Sequence, residues 1–550
     1  MLTTLKFPIL KKITAQTLDR FGVDHSIWVP DKAFEYQISR RILRDQDLIR
    51  SVDLSTRPKT FLIADSAGPY AQILHGIISW GLWLRGLPNQ LVVCDGGLLV
   101  CDAKKISYPN ASCKDCFGRV KSLLDAFGLP YLLLSKFVRP SRVSDAYELV
   151  CDLSWRQCEE FVYEHLPIGE FARISLTSYL LVGEPTESPE NLHLYRQFLS
   201  SGIVMVDFYK RLFAEYQPEK LVLLNGLYLG WRIAWAFGER HGVPVVTWEV
   251  GYQPNTIVMA HDAVACYFDH SSEWPVYAAR ELSEAEREQI ERYLHRRYLG
   301  DQGLIQYVKP DDHSDGGILR TLSVPVDSKV FSLFTNVEWD SALVGRHRAF
   351  SSQFEWIQAT IRYFQAHPDL YLVIRIHPGE ELIPMMETRA PLRRRIEAVL
   401  PELPANVRIV GPEEDVDSYQ LISASCATLV YTSTIGLEAA CLGKAVVVAG
   451  LVHYADKGFT VDQFTVDTYG KTLAELDRYE ENGNRELALR YAHLLFIRSM
   501  IPHETLFRSD RLFCVTDFKF RSLRDLAPGN DPNLDFICQV IASGRAPLLD

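Results

Sequence analysis

Short apolar runs alternate with helix-length amphipathic stretches along most of this chain, and they do so in two separate series. The first series holds TFLIA at 60–64, QLVVC at 90–94, KLVLLN at 220–225 and VPVVTWE at 243–249, with a shorter strand near 257–267. The second holds KVFSLFTN at 329–336, LYLVIRI at 370–376, NVRIVG at 406–411, TLVYT at 428–432 and AVVVA at 445–449. Strands that are apolar at consecutive positions are covered on both faces, which is the condition of a parallel sheet flanked by helices. The pattern therefore predicts an α/β chain of two doubly wound, Rossmann-like domains. A length of 550 residues also exceeds what a single core normally serves.

The stretches between the runs set the expected boundaries. Residues 1–57 read as a charged helical arm and 58–270 as the first α/β domain, with a Cys-rich loop at 94–116. Residues 271–325 read as a helical linker, with the amphipathic ELSEAEREQIERYLHRRYL followed by the turn-rich VKPDDHSDGG. Residues 326–470 form the second α/β domain, with a helix expected at 387–399, and 471–550 a mainly helical C-terminal segment. Two such domains imply an interdomain cleft. Ligands of doubly wound sheets lie beyond the carboxyl ends of the strands, so the loops that follow strands are where chemistry is expected.

Several classes are disfavoured at once. No apolar run approaches the ~18 residues of a membrane span, and the N-terminus lacks the pattern of a signal peptide. The expected location is cytoplasmic, with peripheral contact at the inner membrane as a further expectation; the aromatic-rich ISWGLWLRGL, Ile78–Leu87, either makes such contact or, the favoured reading, is a core-facing helix. A net charge of −11 and the lack of a basic stripe with interleaved aromatics argue against nucleic acid as a partner. There is no P-loop, no G-x-G-x-x-G after a strand and no H-E-x-x-H. The DVD at 415–417 reads as a helix start, where acids suit the helix dipole.

The most informative stretch is VYTSTIGLEAACLGKAVVVAG, Val430–Gly450: a strand, a turn bearing Thr432, Ser433 and Thr434, a short helix over 434–442, and a strand. Ser433 or Thr434 suits the N-cap. The unpaired N–H groups of the first turn suit phosphate, and Gly436 lets a ligand approach the backbone closely. Glu438, one turn inside, is placed to accept two ribose hydroxyls; the competing reading is an ordinary capped helix with a solvated Glu. In RIHPGEE, Arg375 and His377 share a strand face, and Pro378 holds His377 extended. Both side chains can donate to phosphate oxygens; alternatively Arg375 pairs with Glu380 or Glu381. In HYADKGFT, Lys457 either balances donor phosphate charge or is a solvated loop lysine. In TNVEWDS, Asn336 and Asp340 either touch a ligand or form an Asx turn.

RIHPGE, YTSTIGLEAACLGKAVVVAG and HYADKGFT, in this order and spacing, resemble the bacterial surface- and capsular-polysaccharide glycosyltransferases. The region is similar to the donor-binding half of the GT-B fold. The capsule β-Kdo transferases share the His-Pro step, the Ser/Thr-x-Gly-x-Glu helix and the late Tyr-x-x-x-Gly-x-Thr loop, though they commonly carry Phe where this chain has Leu437. The specific part covers about 330–465. The resemblance implies that Arg375, His377, Ser433, Thr434 and Glu438 meet the nucleotide and phosphates of an activated sugar. It implies a GT-B-like transferase that moves a sugar from a nucleotide-sugar donor to a surface polysaccharide or lipid-linked oligosaccharide, a glycan or glycolipid acceptor. The alternatives are a nucleotide-sugar epimerase, a polyol-phosphate transferase, or a non-catalytic module that binds nucleotide-sugar.

Such a reaction needs a carboxylate or another base near the acceptor hydroxyl. Glu249, Asp65 and His75 follow strands of the first domain and are the candidates, each with the competing reading of a cap or a buried hydrogen-bonded group. No metal or other cofactor is required for catalysis on this reading, because Arg375, His377, Lys457 and the helix mouth neutralise the leaving phosphate. Cys94, Cys101, Cys113 and Cys116 are spaced either for a structural zinc or as reduced thiols.

Overall fold

The computed structural model describes residues 32–64, 68–107, 112–299, 315–383, 386–475, 484–511 and 514–549. The chain forms two compact units. The first draws its described residues from Met1–Leu176, Thr186–Ala263 and Ile501–Pro547, the second from Thr177–Pro185, Val264–Met500 and Leu548–Asp550.

In the first unit, strands β1 (Thr60–Ile63), β2 (Asn89–Val93), β3 (Tyr131–Leu133), β4 (Lys220–Leu224), β5 (Val245–Val250) and β6 (Thr256–His261) run in the order β6-β5-β4-β1-β2-β3. All pairs are parallel except β5 with β6. That last pair departs from an all-parallel sheet, because the connection between its strands is too short for a crossover helix. The order reverses between β1 and β4, so the unit is doubly wound.

The second unit repeats the design more regularly. Strands β7 (Lys329–Phe334), β8 (Leu370–Arg375), β9 (Val407–Val410), β10 (Ala427–Val430), β11 (Ala445–Val448) and β12 (Val461–Asp462) run β12-β11-β10-β7-β8-β9, with every pair parallel. The order reverses between β7 and β10. Phe331, Leu333, Leu372, Ile374, Leu429 and Val447 pack from the strands against Trp356, Ile357 and Ile361 of the helix Gln353–Ala366. Each such fully buried side chain contributes about 1.5–3 kcal/mol of transfer free energy.

One local expectation is corrected and one is extended. The helix expected at 387–399 begins only at Leu392, because Pro391 disfavours helical geometry in the residue before it. The segment 471–550, whose described regular structure is mostly helix, also supplies strands that were not expected: β13 (Ile501–Pro502), antiparallel to β6, and the antiparallel pair β14 (Phe507–Arg511) and β15 (Cys514–Phe518). His503 fixes this return to the first unit. Its Nε2 lies 2.6 Å from the Tyr70 hydroxyl, and its ring stacks on Phe507.

The amphipathic helix foreseen after residue 280 is Glu284–Tyr298, opened by a capping box between Ser283 and Glu286. Most of VKPDDHSDGG lies outside the described residues. The expected fold class is met in its elements: α/β, with two doubly wound, Rossmann-like units.

Candidate functional site

The second unit gathers its candidate residues where its strand order reverses. Residues β7 Phe334, β8 Arg375 and β10 Val430 are in register, so the loops after all three strands leave the same edge. Asn336 ties two of them together, its Oδ1 accepting the Thr432 backbone N–H at 3.1 Å. The His377 backbone N–H reaches the Thr335 hydroxyl at 3.0 Å and ties in the third. Asn336 thus braces the edge. Asp340 accepts from its neighbour Ser341 at 3.1 Å.

Arg375 ends β8 and is 1% exposed. One terminal nitrogen, Nη1, donates to the Gly411 carbonyl, whereas Nε and Nη2 have no hydrogen-bond partner. Burial pulls the guanidinium below its ordinary pKa, and the carboxylates of Glu414, Glu413 and Asp415 oppose that pull. The pairing with Glu380 or Glu381 weighed as an alternative is not formed by Glu380. That residue instead turns its Oε1 to the Leu392 N–H, at the start of the helix Leu392–Val399.

His377 is half-buried. Desolvation, then the Arg375 charge, lower its pKa to about 4, so the ring is neutral at pH 7. Its Nδ1 accepts the Gly379 backbone N–H at 2.9 Å. An accepting Nδ1 in a neutral ring puts the proton on Nε2, so that nitrogen is the donor. Thr432 is buried, with a hydroxyl that has no partner. Ser433 and Thr434 are half-buried.

The helix mouth corrects three expectations. The helix runs Ile435–Cys441, and Thr434 occupies the N-cap without a side-chain cap bond. Gly436 serves the fold, not a ligand: a Cβ there would stand 2.2 Å from the Tyr454 hydroxyl oxygen, and that hydroxyl donates to the Ser433 carbonyl at 2.5 Å. Glu438 is 2% exposed. Its Oε1 accepts from Arg297 Nε at 2.7 Å and its Oε2 from the Tyr419 hydroxyl, so both oxygens hold the protein's own donors instead of ribose hydroxyls. Lys457 is not a solvated lysine. It is buried, donates to the Ser271 hydroxyl at 2.8 Å, and has a pKa lowered by burial against the pull of Asp269, Asp456 and Asp462.

Arg297 and Tyr419 escaped the sequence reading, and Tyr454 was seen only as part of the HYADKGFT loop, because contacts made across separate elements leave no local pattern. The acidic GPEED at 411–415 was visible, but nothing tied it to Arg375.

In the first unit, Glu249 near the end of β5 accepts from Asn225 Nδ2 at 3.2 Å and from the Val250 N–H at 2.8 Å. Asn225 and Gly226, after β4, adopt φ of 34° and 82°, the left-handed turn that brings the amide to Glu249. His75 is corrected. It is 0% exposed, lies inside the helix Pro69–Trp83 and takes the Trp248 indole N–H on Nε2 at 3.1 Å. Burial brings its pKa down to about 3, so it is a neutral core residue without access to substrate. Asp65 lies outside the described residues.

The Ile78–Leu87 stretch takes its core-facing reading: Ile78, Trp80, Leu82 and Trp83 are buried. Cys94, Cys101 and Asp102 line a small cavity of about 20 Å³ together with Ser201, Met205 and Leu229. Burial, then the neighbouring Cys94, raise the Cys101 pKa. Among the described residues, no group of three or more His, Cys, Asp or Glu is arranged to hold a metal ion.

Fold and site together define a class: an α/β protein of two doubly wound, Rossmann-like units whose second sheet carries a buried cation and partnerless donors at its switch point. Residues 305–482 match the family model of capsule polysaccharide biosynthesis proteins, a segment that contains RIHPGE, the whole of Val430–Gly450 and HYADKGFT. The resemblance read from those motifs is thus matched over about that third of the chain.

Among solved structures, the chain is similar to the beta Kdo 2,4 transferase of Thermosulfurimonas dismutans KpsC, with 13% identity, 56% of this chain and 87% of that chain covered, and a TM-score of 0.34. The beta Kdo 2,7 transferase of the same KpsC gives 19% identity, 52% and 80% coverage and a TM-score of 0.30. A UDP-GlcNAc 2-epimerase from Neisseria meningitidis, bound to UDP-GlcNAc, gives 11% identity, 79% and 97% coverage and a TM-score of 0.25. No curated protein matches the sequence. The fold assignment rests on the strand order of the two sheets.

Proposed function

We propose that this protein is a glycosyltransferase that moves a sugar from a nucleotide-sugar donor onto a surface polysaccharide or a lipid-linked oligosaccharide, at the cytoplasmic side of the inner membrane. The observation that carries the reading is the Arg375 guanidinium, buried at the carboxyl edge of a doubly wound sheet with two N–H-bearing nitrogens that have no partner. A buried cation with unspent donors is costly unless an anion completes it. Phosphate is the anion this edge suits, because the guanidinium fork matches its oxygens.

In this reading Arg375 and the His377 Nε2–H bind the phosphates and stabilise the charge that grows on the leaving group. The Ser433–Thr434 turn and the Thr432 hydroxyl complete the donor seat. Lys457 contributes charge, and no divalent metal takes part. Glu249 is the carboxylate for the acceptor side, held in orientation by Asn225.

The test is a thermal-shift screen of the purified protein against UDP-, GDP-, CMP- and CDP-sugars, with EDTA present. Stabilisation by one nucleotide class is expected. Binding that appears only after magnesium or manganese is added would contradict the metal-free reading. Donor turnover without any acceptor would identify an epimerase instead.

A further inference from the structure

The arm ahead of β1 carries an exposed face that the transferase reading does not use. It consists of the helix Lys32–Ile42, a 3-10 turn at Leu43–Asp45 and the helix Gln46–Ser51. Its inner side is anchored: Ile38 and Ile42 are buried, Phe34 packs edge-on to Phe518, and Arg41 donates to the Phe520 carbonyl at 2.8 Å. The outer side is unlike an ordinary solvated helix face. Tyr36 is 66% exposed and Leu43 is 55% exposed, seven residues apart and so on the same side of the stretch. Arg40 and Arg44 are exposed beside them, and Arg50 is exposed on the helix that follows.

The charge on this face is not balanced from within. Several acids of the neighbourhood are taken by other cations: Asp45 and Asp47 both by Arg524, Asp525 by Arg521, and Asp517 by Lys519; Glu35, on the same helix, lies about 100° around it from Tyr36 and off this face. Arg40, Arg44 and Arg50 pair with no carboxylate among the described residues. Arg40 and Arg44 also lie close enough to Arg41 to oppose its charge. A chain with net charge −11 thus concentrates uncompensated arginines around two exposed apolar side chains.

We propose that the arm docks on the surface of an anionic phospholipid bilayer through the face bearing Tyr36, Arg40, Leu43 and Arg44, with Arg50 of the following helix adding charge. Charge complementarity selects that occupant. The arginines meet lipid phosphates, while the Tyr36 ring and the Leu43 side chain enter the headgroup layer, the usual arrangement of an interfacial helix. No described helix is long and apolar enough to cross a membrane, so attachment here is lateral and reversible. The inference is independent of the donor-site reading.

The test is flotation of the full-length protein with vesicles of phosphatidylcholine alone and of phosphatidylcholine mixed with phosphatidylglycerol, at low and high salt. Arg44 also binds the Arg521 carbonyl, so charge reversal is placed at Arg40 and Arg50. Wild type should float with the mixed vesicles and not with phosphatidylcholine, and salt should release it. The R40E/R50E variant should bind at least about tenfold more weakly. The Y36S/L43S variant should also bind more weakly but keep the salt dependence, and both should melt like wild type. Equal binding to the two vesicle types, no binding to either, or wild-type binding by R40E/R50E would overturn the proposal.

Discussion

Arg297 donates from Nε to Oε1 of Glu438 at 2.7 Å, from the end of the helix Glu284–Tyr298 to the middle of the helix Ile435–Cys441. The Tyr419 hydroxyl takes the second carboxylate oxygen. The pair makes Glu438 a structural anchor of the helix that follows the candidate donor loop.

Truncating one partner leaves a buried charge uncompensated, which costs about 3–5 kcal/mol. Arg297→Ala should therefore lower the urea midpoint strongly. Arg297→Met combined with Glu438→Gln should recover much of the loss, because no unpaired charge remains. A Glu438→Gln protein with wild-type stability and weakened nucleotide binding would instead restore the ribose role to Glu438.

Gly436 is fixed by its neighbour Tyr454. Gly436→Ala forces its Cβ against the Tyr454 hydroxyl oxygen and should destabilise by about 1–3 kcal/mol. In a Tyr454→Phe background the added methyl should cost less, though not nothing, since Val430 also lies 2.9 Å from the Cβ position. A double-mutant cycle on denaturation midpoints measures that coupling. Strict additivity would contradict the contact.

Glu380 sets a pH dependence of stability. Burial first, then the charges of Glu338 and Glu381, raise its carboxyl from 4.5 to about 7, against the pull of the Leu392 N–H. Between these values the folded chain holds a proton that the unfolded chain has released. Its contribution to stability is therefore lost as pH rises through that window, by up to about 3 kcal/mol. Glu380→Gln should flatten the fall between pH 4.5 and 7, read as denaturation midpoints against pH. An unchanged slope would refute the assignment.

His75 should matter to stability and not to turnover. His75→Leu leaves the Trp248 indole N–H without its acceptor and should cost about 1–3 kcal/mol. Transfer activity per folded molecule should stay at the wild-type level. A collapse of activity at unchanged stability would return His75 to the reacting groups.

Much of this architecture was legible in the sequence because parallel strands are written locally, as in KVFSLF and LYLVIR. The switch-point edge was legible too: Arg375 ends a strand, His377 and Thr432 stand two residues past theirs, and strand order places the three on one edge. What failed was the assignment of which side of the helix mouth faces outward. Gly436 and Glu438 look like ligand-binding residues in a window of twenty, but their partners are Tyr454, Tyr419 and Arg297, the last 141 residues away. His75 failed for a related reason. Its helix, Pro69–Trp83, is apolar almost all round, so its position in the chain does not distinguish a loop-facing from a core-facing side chain.

The claim that the Arg375 edge seats the phosphates of an activated sugar is tested most directly by calorimetric titration of wild type and Arg375→Lys with the nucleotide-sugar selected in the screen. Lysine keeps the charge but loses the fork, and denaturation midpoints of both proteins establish that each is folded. The account predicts tight binding by wild type and a loss of about tenfold or more in the variant. Equal affinity in two folded proteins, or no affinity of wild type for any nucleotide-sugar, would contradict it.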